Sequence, residues 1–262
     1  MIWRYSEELP GCNAAVLMAL PDGQRILAVA TEDGVEYWNA MTGEEAGALP
    51  IEKTIWDLST GTLPDGRVVL AGAGNDGAVY RWDATTGEPL GSPLHGHETT
   101  VHSVAVLESA SHETLITSGD DTGRIIIWNA LTGDQVGAQI AGGSPIRVMA
   151  ALPTANEQRL FSSANAAGEV FRWDAITGSQ YGVPFHTGAD IYSLTSACPN
   201  GTHMLLASGA NDTVSAWDYL SGEPIPVSMG GGTVAALKQA DGSALIATGT
   251  LHGEIKLYSL SG

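Results

Sequence analysis

Hydrophobic and polar residues alternate along most of this chain in short runs, and turn residues separate the runs. The segment from Val101 to Ile140 shows the pattern in VHSVAVL, ETLITSG, RIIIWNA and DQVGAQI. Alternation with a period of two residues indicates strands, and no segment keeps the 3.6-residue period of an amphipathic helix for long. The pattern predicts an all-β chain whose basic unit is four short strands.

The unit repeats along the whole chain. Each copy ends its third strand in an aromatic residue, at intervals of 44, 46, 45, 44 and 41 residues, and in five copies a Thr-Gly or Ser-Gly turn follows. Self-similarity at this period indicates a repeat architecture. We predict six units in a single domain over residues 1–262. Their third strands end at Trp38, Trp82, Trp128, Trp173, Trp217 and Tyr258.

A single four-stranded sheet of this length cannot bury both of its faces. Six such sheets stacked radially cover one another and leave only short, protected edges. The sequence therefore predicts a six-bladed β-propeller of four-stranded antiparallel blades.

Composition limits the classes of partner and compartment. The content of 44% hydrophobic and 15% charged residues suits a packed core, and the formal net charge of −18 repels nucleic acid and anionic membranes. No basic stretch followed by an apolar run opens the chain, so we expect a cytoplasmic protein. Cys12 and Cys198 are too few and too far apart for a disulfide framework, and we expect both to be free thiols.

The segment GHETTVHSVAV…LITSGDDTGRIIIWNA, Gly96 to Ala130, resembles a WD40 repeat. The Trp-Asp dipeptide also stands at Trp82, Trp173 and Trp217, and the resemblance covers essentially the whole chain. It implies a propeller that serves as a scaffold for protein partners and is not an enzyme. It also implies one buried hydrogen-bonded set within the third blade, made of His97, Ser118, Asp120 or Asp121, and Trp128.

The two ends of the chain suggest how the ring closes. The sixth unit stops at LYSLSG and has no fourth strand, whereas MIWRYSEELPGCN precedes the first strand of the first unit. We predict that residues 1–10 form the outer strand of the last blade. The alternative is that Trp3 belongs to a truncated seventh blade, which leaves an open ring for a partner's strand to complete.

The second position of the first strand holds the residues that best fit a binding site. Aligned units place Ala15 and Ala235 there in the first and last blades. The resemblance puts this position at the narrow top face beside the central channel, where side chains either bind a partner or pack along the channel wall. Trp, Tyr and Arg dominate binding hot spots. The predicted partner-binding residues are Trp56, His102, Arg147 and Tyr192, with the nearby turn residues Asn75, Asp76, Asp121, Asn165 and Asn211.

Two alternative interpretations of these polar residues are metal sites. His95, His97 and His102 are spaced for zinc, and the Asp and Asn turns offer the oxygen ligands of a calcium-dependent hydrolase or small-molecule binder at the same channel mouth. We favour structural roles, because such turns need Asn and Asp for their own backbone geometry. We therefore expect no metal, cofactor or catalytic residue, and a monomer that binds a protein or peptide.

Overall fold

The computed structural model describes residues 11–49, 51–108, 113–154, 158–239, 241–250 and 254–260. Within these ranges the regular structure is β-strand, apart from one short 3₁₀ helix at Pro199–Gly201. No helix in the described part is long and apolar enough to cross a membrane. The strands form six antiparallel sheets, one for each sequence repeat. This confirms the predicted all-β, six-bladed β-propeller.

The chain divides into two compact units. Unit 1 contains the described residues up to 121 together with 125–136. It holds the first two blades and most of the first three strands of the third. Its strands are β1 (Ala14–Ala19), β2 (Arg25–Thr31), β3 (Gly34–Asn39), β4 (Glu45–Leu49), β5 (Ile55–Thr62), β6 (Val68–Gly74), β7 (Ala78–Asp83), β8 (Leu94–His95), β9 (Val101–Leu107), β10 (Leu115–Asp120) and β11 (Arg124–Asn129), whose first residue belongs to unit 2.

Unit 2 contains residues 122–124 and the described residues from 137 onward. It holds the fourth, fifth and sixth blades and the last strand of the third. Its strands are β12 (Ile140–Ala141), β13 (Ile146–Leu152), β14 (Leu160–Asn165), β15 (Glu169–Asp174), β16 (Phe185–His186), β17 (Ile191–Ala197), β18 (Met204–Gly209), β19 (Val214–Asp218), β20 (Thr233–Lys238), β21 (Ala244–Gly249) and β22 (Ile255–Leu260).

In several blades the fourth strand is shorter than the sequence pattern predicts. In blades two, three and four it has only two residues, and the described parts of blades five and six form three-stranded sheets. Proline explains part of the difference, because it has no N–H to donate to a ladder. Pro89 and Pro224 make only isolated bridges, to Trp82 and Trp217.

Apolar residues of neighbouring blades form the core within each unit. In unit 1, Leu58 and Trp82 of the second blade pack in one cluster with Met18 of the first. In unit 2, Leu160 of the fourth blade packs in one cluster with Trp217 of the fifth. Because each large apolar side chain contributes about 1.5–3 kcal/mol when fully buried, these shared cores stabilise blades that are marginal singly.

Each blade has two edges that differ in their connections. We call the edge where the first strand begins and the second turns into the third the upper edge, and the opposite edge the lower edge. In unit 1, Thr54 links two upper-edge turns: its Oγ1 donates to the Glu32 carbonyl at 3.3 Å, and its carbonyl accepts from Asn75 N at 3.1 Å. Thr100 repeats the link one blade later, to Asn75 and Asp121. These bonds hold the acidic turns beside the first strands.

Residues 1–10, the predicted outer strand of the last blade, lie outside the described residues, so ring closure and its open-ring alternative stay predictions. Both cysteines are free thiols; Cys12 is exposed and Cys198 is half-buried.

Candidate functional site

The second residue of the first strand is a β-bulge residue in four blades. In the second blade Ile55 pairs with Gly74 and Asp57 with Ala73, so Trp56 has no residue opposite it. The same shift of register falls at three further positions: His102, Arg147 and Tyr192.

The two alanines at this position lie in regular ladders. Ala15 pairs with Val29, and Ala235 pairs with Ala247. A bulge bends its strand and redirects the extra side chain, and bulges are over-represented beside functional sites. The bulges therefore coincide with the four predicted binding residues and are absent at the two small ones.

Three of the bulged residues, Trp56, Arg147 and Tyr192, are exposed, and His102 is half-buried. Trp56 is 41% exposed and Tyr192 is 52% exposed. Ile55 and Ile191, one residue earlier in each strand, are buried. Leaving a Trp and a Tyr in water costs the burial energy that such rings bring to a core.

In unit 1 the bulges of two neighbouring blades come together. The ring centroids of Trp56 and His102 lie 6.0 Å apart at an interplanar angle of 48°. The His102 Nε2 atom lies 2.8 Å from Asp121 Oδ1, in the upper-edge turn of the same blade. This bond fixes the imidazole orientation, so the indole, the imidazole and the carboxylate form one continuous surface.

In unit 2 the bulged residues are Arg147 and Tyr192, on the first strands of blades four and five. Arg147 Nε lies 4.0 Å from Asp190 Oδ1, and Asp190 immediately precedes β17. The side chains of Arg147 and Tyr192 are both exposed. The pair presents a guanidinium and a phenol on the upper edge of this unit.

The predicted turn residues mainly bond within their own turns. Asp76 Oδ1 accepts from Ala78 N, and its Oδ2 accepts from the Tyr80 hydroxyl at 2.8 Å. Asn165 Oδ1 accepts from two backbone N–H groups of its turn, and Asn211 Oδ1 accepts from Thr213 N. Among the described residues, no group of three or more His, Cys, Asp or Glu side chains is placed to hold a metal ion.

One polar chain runs through the interior of the third blade. His97 Nδ1 lies 2.8 Å from Asp120 Oδ2, and His97 Nε2 lies 2.8 Å from Ser118 Oγ. Trp128 Nε1 donates to the same hydroxyl at 2.8 Å. In a neutral imidazole, Nδ1–H donates to Asp120 and Nε2 accepts from Ser118. The aspartate of the set is therefore Asp120, and Asp121 turns outward to His102.

Comparison with known proteins fits this geometry. A family model described as "WD domain, G-beta repeat" matches residues 87–129, which contain the His97, Ser118, Asp120 and Trp128 set. Together with six propeller blades, this match supports a WD40-repeat propeller family.

Two solved structures are similar to this propeller. The computationally designed Ika8 protein has a TM-score of 0.66 at 19% identity, over 94% of this chain and 70% of that one. The U3-55K structure has a TM-score of 0.74 at 18% identity, over 96% of this chain and 78% of that one. At these identities the likeness shows the fold alone. No curated protein matches the chain.

Two arginines that the sequence analysis did not single out join neighbouring blades of the propeller. Arg81 Nη1 donates to the carbonyls of Ala130 and Leu131, at 2.8 and 3.1 Å, in the next blade of unit 1. In unit 2, Arg172 Nη1 donates to the Tyr219 carbonyl at 2.8 Å. Burial lowers the pKa of both guanidinium groups. The signal in the sequence that could have identified these arginines is that each directly precedes the repeat tryptophan, in units two and four.

A carboxylate also joins two blades of unit 1. Asp57 Oδ2 accepts from the Ser103 hydroxyl at 2.5 Å and from Val104 N at 3.0 Å, and Asp57 Oδ1 accepts from Leu58 N at 2.8 Å. Burial raises the pKa of Asp57 to about 6, although these hydrogen bonds lower it. Asp57 directly follows the bulged Trp56, so the bulge and the link between blades lie side by side.

Proposed function

We propose that this WD40 propeller is a non-enzymatic scaffold that docks a protein or peptide on the upper edges of its blades. Trp56, Arg147 and Tyr192 are the anchors, and His102 lies beside Trp56. WD40 propellers generally act as scaffolds of this kind. The turn residues Asn75, Asp76, Asp121, Asn165 and Asn211 form the polar surroundings of the anchors.

One observation carries the proposal: the candidate anchors are bulge residues. At the same repeat position, the small residues Ala15 and Ala235 stay in regular ladders. Trp56 and Tyr192 instead leave the ladder and are exposed by 41% and 52%. Tyr, Trp and Arg bring large contact area or forked hydrogen bonding at modest cost in side-chain entropy.

Affinity capture from a lysate of the native host tests the proposal. The bait is compared with a Trp56→Ala, Arg147→Ala, Tyr192→Ala variant of matched melting temperature. A second triple variant, Met41→Ala, Leu131→Ala, Ile176→Ala, removes equivalent lower-edge residues that are 63%, 42% and 56% exposed. A captured protein is then purified and its affinity for all three baits is measured.

We expect the wild type and the lower-edge variant to bind the purified protein with equal affinity. The upper-edge variant should bind at least tenfold more weakly, since hot-spot residues contribute about 2 kcal/mol or more each. Equal binding by all three baits, or selective loss in the lower-edge variant, would contradict the proposal.

A further inference from the structure

The upper edge of unit 1 combines an exposed aromatic ring with a large excess of negative charge. Its turns and connections carry exposed carboxylates on both sides of Trp56. Lys53 lies at this edge, 3.7 Å from Asp76, and the half-buried Arg124 begins β11 three residues after Asp121. The exposed carboxylates are those of Glu32, Asp33, Glu52, Asp76, Glu98 and Asp121.

Hydrogen bonds hold the turns that carry these carboxylates beside the Trp56 ring. Thr54, two residues before Trp56, bonds to the turn that carries Glu32 and to the turn that carries Asp76. Asp121 bonds His102, whose ring lies 6.0 Å from the indole. Carboxylates clustered in one place raise the local concentration of cations and speed their association.

From this arrangement, which rests on the proposed function, we infer that the docking surface of unit 1 takes a basic peptide segment. An arginine or lysine side chain lies over the face of Trp56, and its charge is shared with the carboxylates of Asp76 and Asp121. The indole face attracts a cation within about 6 Å of its centroid, and more strongly than Tyr or Phe does. The net charge of −18 attracts the same class of partner at long range.

A fluorescein-labelled nonapeptide of alternating glycine and arginine is a suitable probe, with matched peptides that carry glutamine or glutamate in place of arginine. Fluorescence polarisation is measured in low salt, because charges on the surface are screened beyond about 10 Å at 0.1 M. We expect the full-length protein to bind the arginine peptide and neither matched peptide.

Two double variants and two substitutions of Trp56 separate a specific site from general electrostatic attraction. Asp76→Asn with Asp121→Asn keeps the acceptor atoms of both turns, and Glu44→Gln with Glu45→Gln removes the same charge at the lower edge. We expect roughly fivefold or greater weakening for the first pair and little change for the second. Trp56→Tyr should bind close to wild type and Trp56→Leu about threefold more weakly, because only Tyr keeps an aromatic face.

The opposite results reject the inference. Equal weakening by the two charge pairs, or equal binding by Trp56→Tyr and Trp56→Leu, means that the peptide follows net charge alone. No binding of the arginine peptide up to about 1 mM also rejects it. If the glutamine peptide binds and its binding depends on Trp56, the basic ligand is rejected but docking on this edge is not. The proposed docking function is tested separately by the capture experiment.

Discussion

The indole ring of Trp56 lies 6.0 Å from the imidazole of His102, although 46 residues separate them in sequence. Both are bulge residues of first strands in neighbouring blades. The same register shift in two adjacent sheets therefore brings two side chains of one repeat position into contact. Repetition of a local irregularity, and not of the regular strand, builds this surface.

Trp56→Ala should leave the free energy of unfolding within about 0.5 kcal/mol of wild type, because the side chain is already 41% exposed. Leu58→Ala, two residues along the same strand, should cost about 2–5 kcal/mol, since Leu58 is buried in the core. Urea unfolding measures both values. A loss of similar size in the two variants would show that Trp56 is a packing residue.

His97→Ala should destabilise the protein by about 3–5 kcal/mol, because it leaves the fully buried Asp120 without its imidazole partner. His95→Ala is the matched control, since this exposed histidine lies two residues away and should cost less than about 0.5 kcal/mol. Equilibrium unfolding in urea compares the two. Equal effects would mean that the buried set adds nothing to stability.

Gly133→Ala should cost more stability than Gly178→Ala. Both glycines have positive φ in equivalent turns, so their backbone strain is matched. A Cβ at Gly133 would lie 2.5 Å from Arg81 Nη2 and 2.8 Å from Leu94 Cδ2, whereas at Gly178 the nearest neighbour is Ile140 at 3.7 Å. We expect the extra cost of about 1–3 kcal/mol to become smaller in an Arg81→Met background, where only the contact with Leu94 remains.

Thermal unfolding of the single and double variants completes this cycle. Arg81→Met alone should lower the melting temperature by several degrees, because the carbonyls of Ala130 and Leu131 in the next blade lose their donor when the guanidinium leaves. Strictly additive losses for Gly133→Ala and Arg81→Met would contradict the role of Arg81 as a link between blades.

Asp57→Asn should remove one component of the pH dependence of stability. Burial raises the pKa of Asp57 from 3.8 to about 6, so between these values the folded protein binds more protons than the unfolded chain. The contribution of Asp57 to stability is therefore greatest below pH 3.8 and is lost as the pH rises to about 6.

Urea unfolding at pH 4.5 and pH 7 measures this effect. The difference in unfolding free energy between wild type and Asp57→Asn should become less favourable to the wild type at the higher pH. A difference that does not change with pH would show that Asp57 titrates normally in the folded protein.

The candidate site was partly predictable from the sequence. Alignment of the repeats identified Trp56, His102, Arg147 and Tyr192 as one position, because a repeat preserves position relative to its aromatic landmark. The bulges were not predictable, because register depends on hydrogen bonds between strands that are distant in sequence. The inter-blade contacts of Arg81 and Asp57 were missed for the same reason.

The sequence by itself determined the class of fold and the number of blades, because alternation, turn residues and a regular period are local signals. The tertiary structure decided which side chains leave the ladder and what they then contact. Asp120 and Asp121 show the distinction: both suit the turn, but only the packed blade directs Asp120 inward to His97 and Asp121 outward to His102. Asp120 ends β10 and Asp121 lies in the turn that follows, so the direction of each side chain depends on strand pairing and not on residue type.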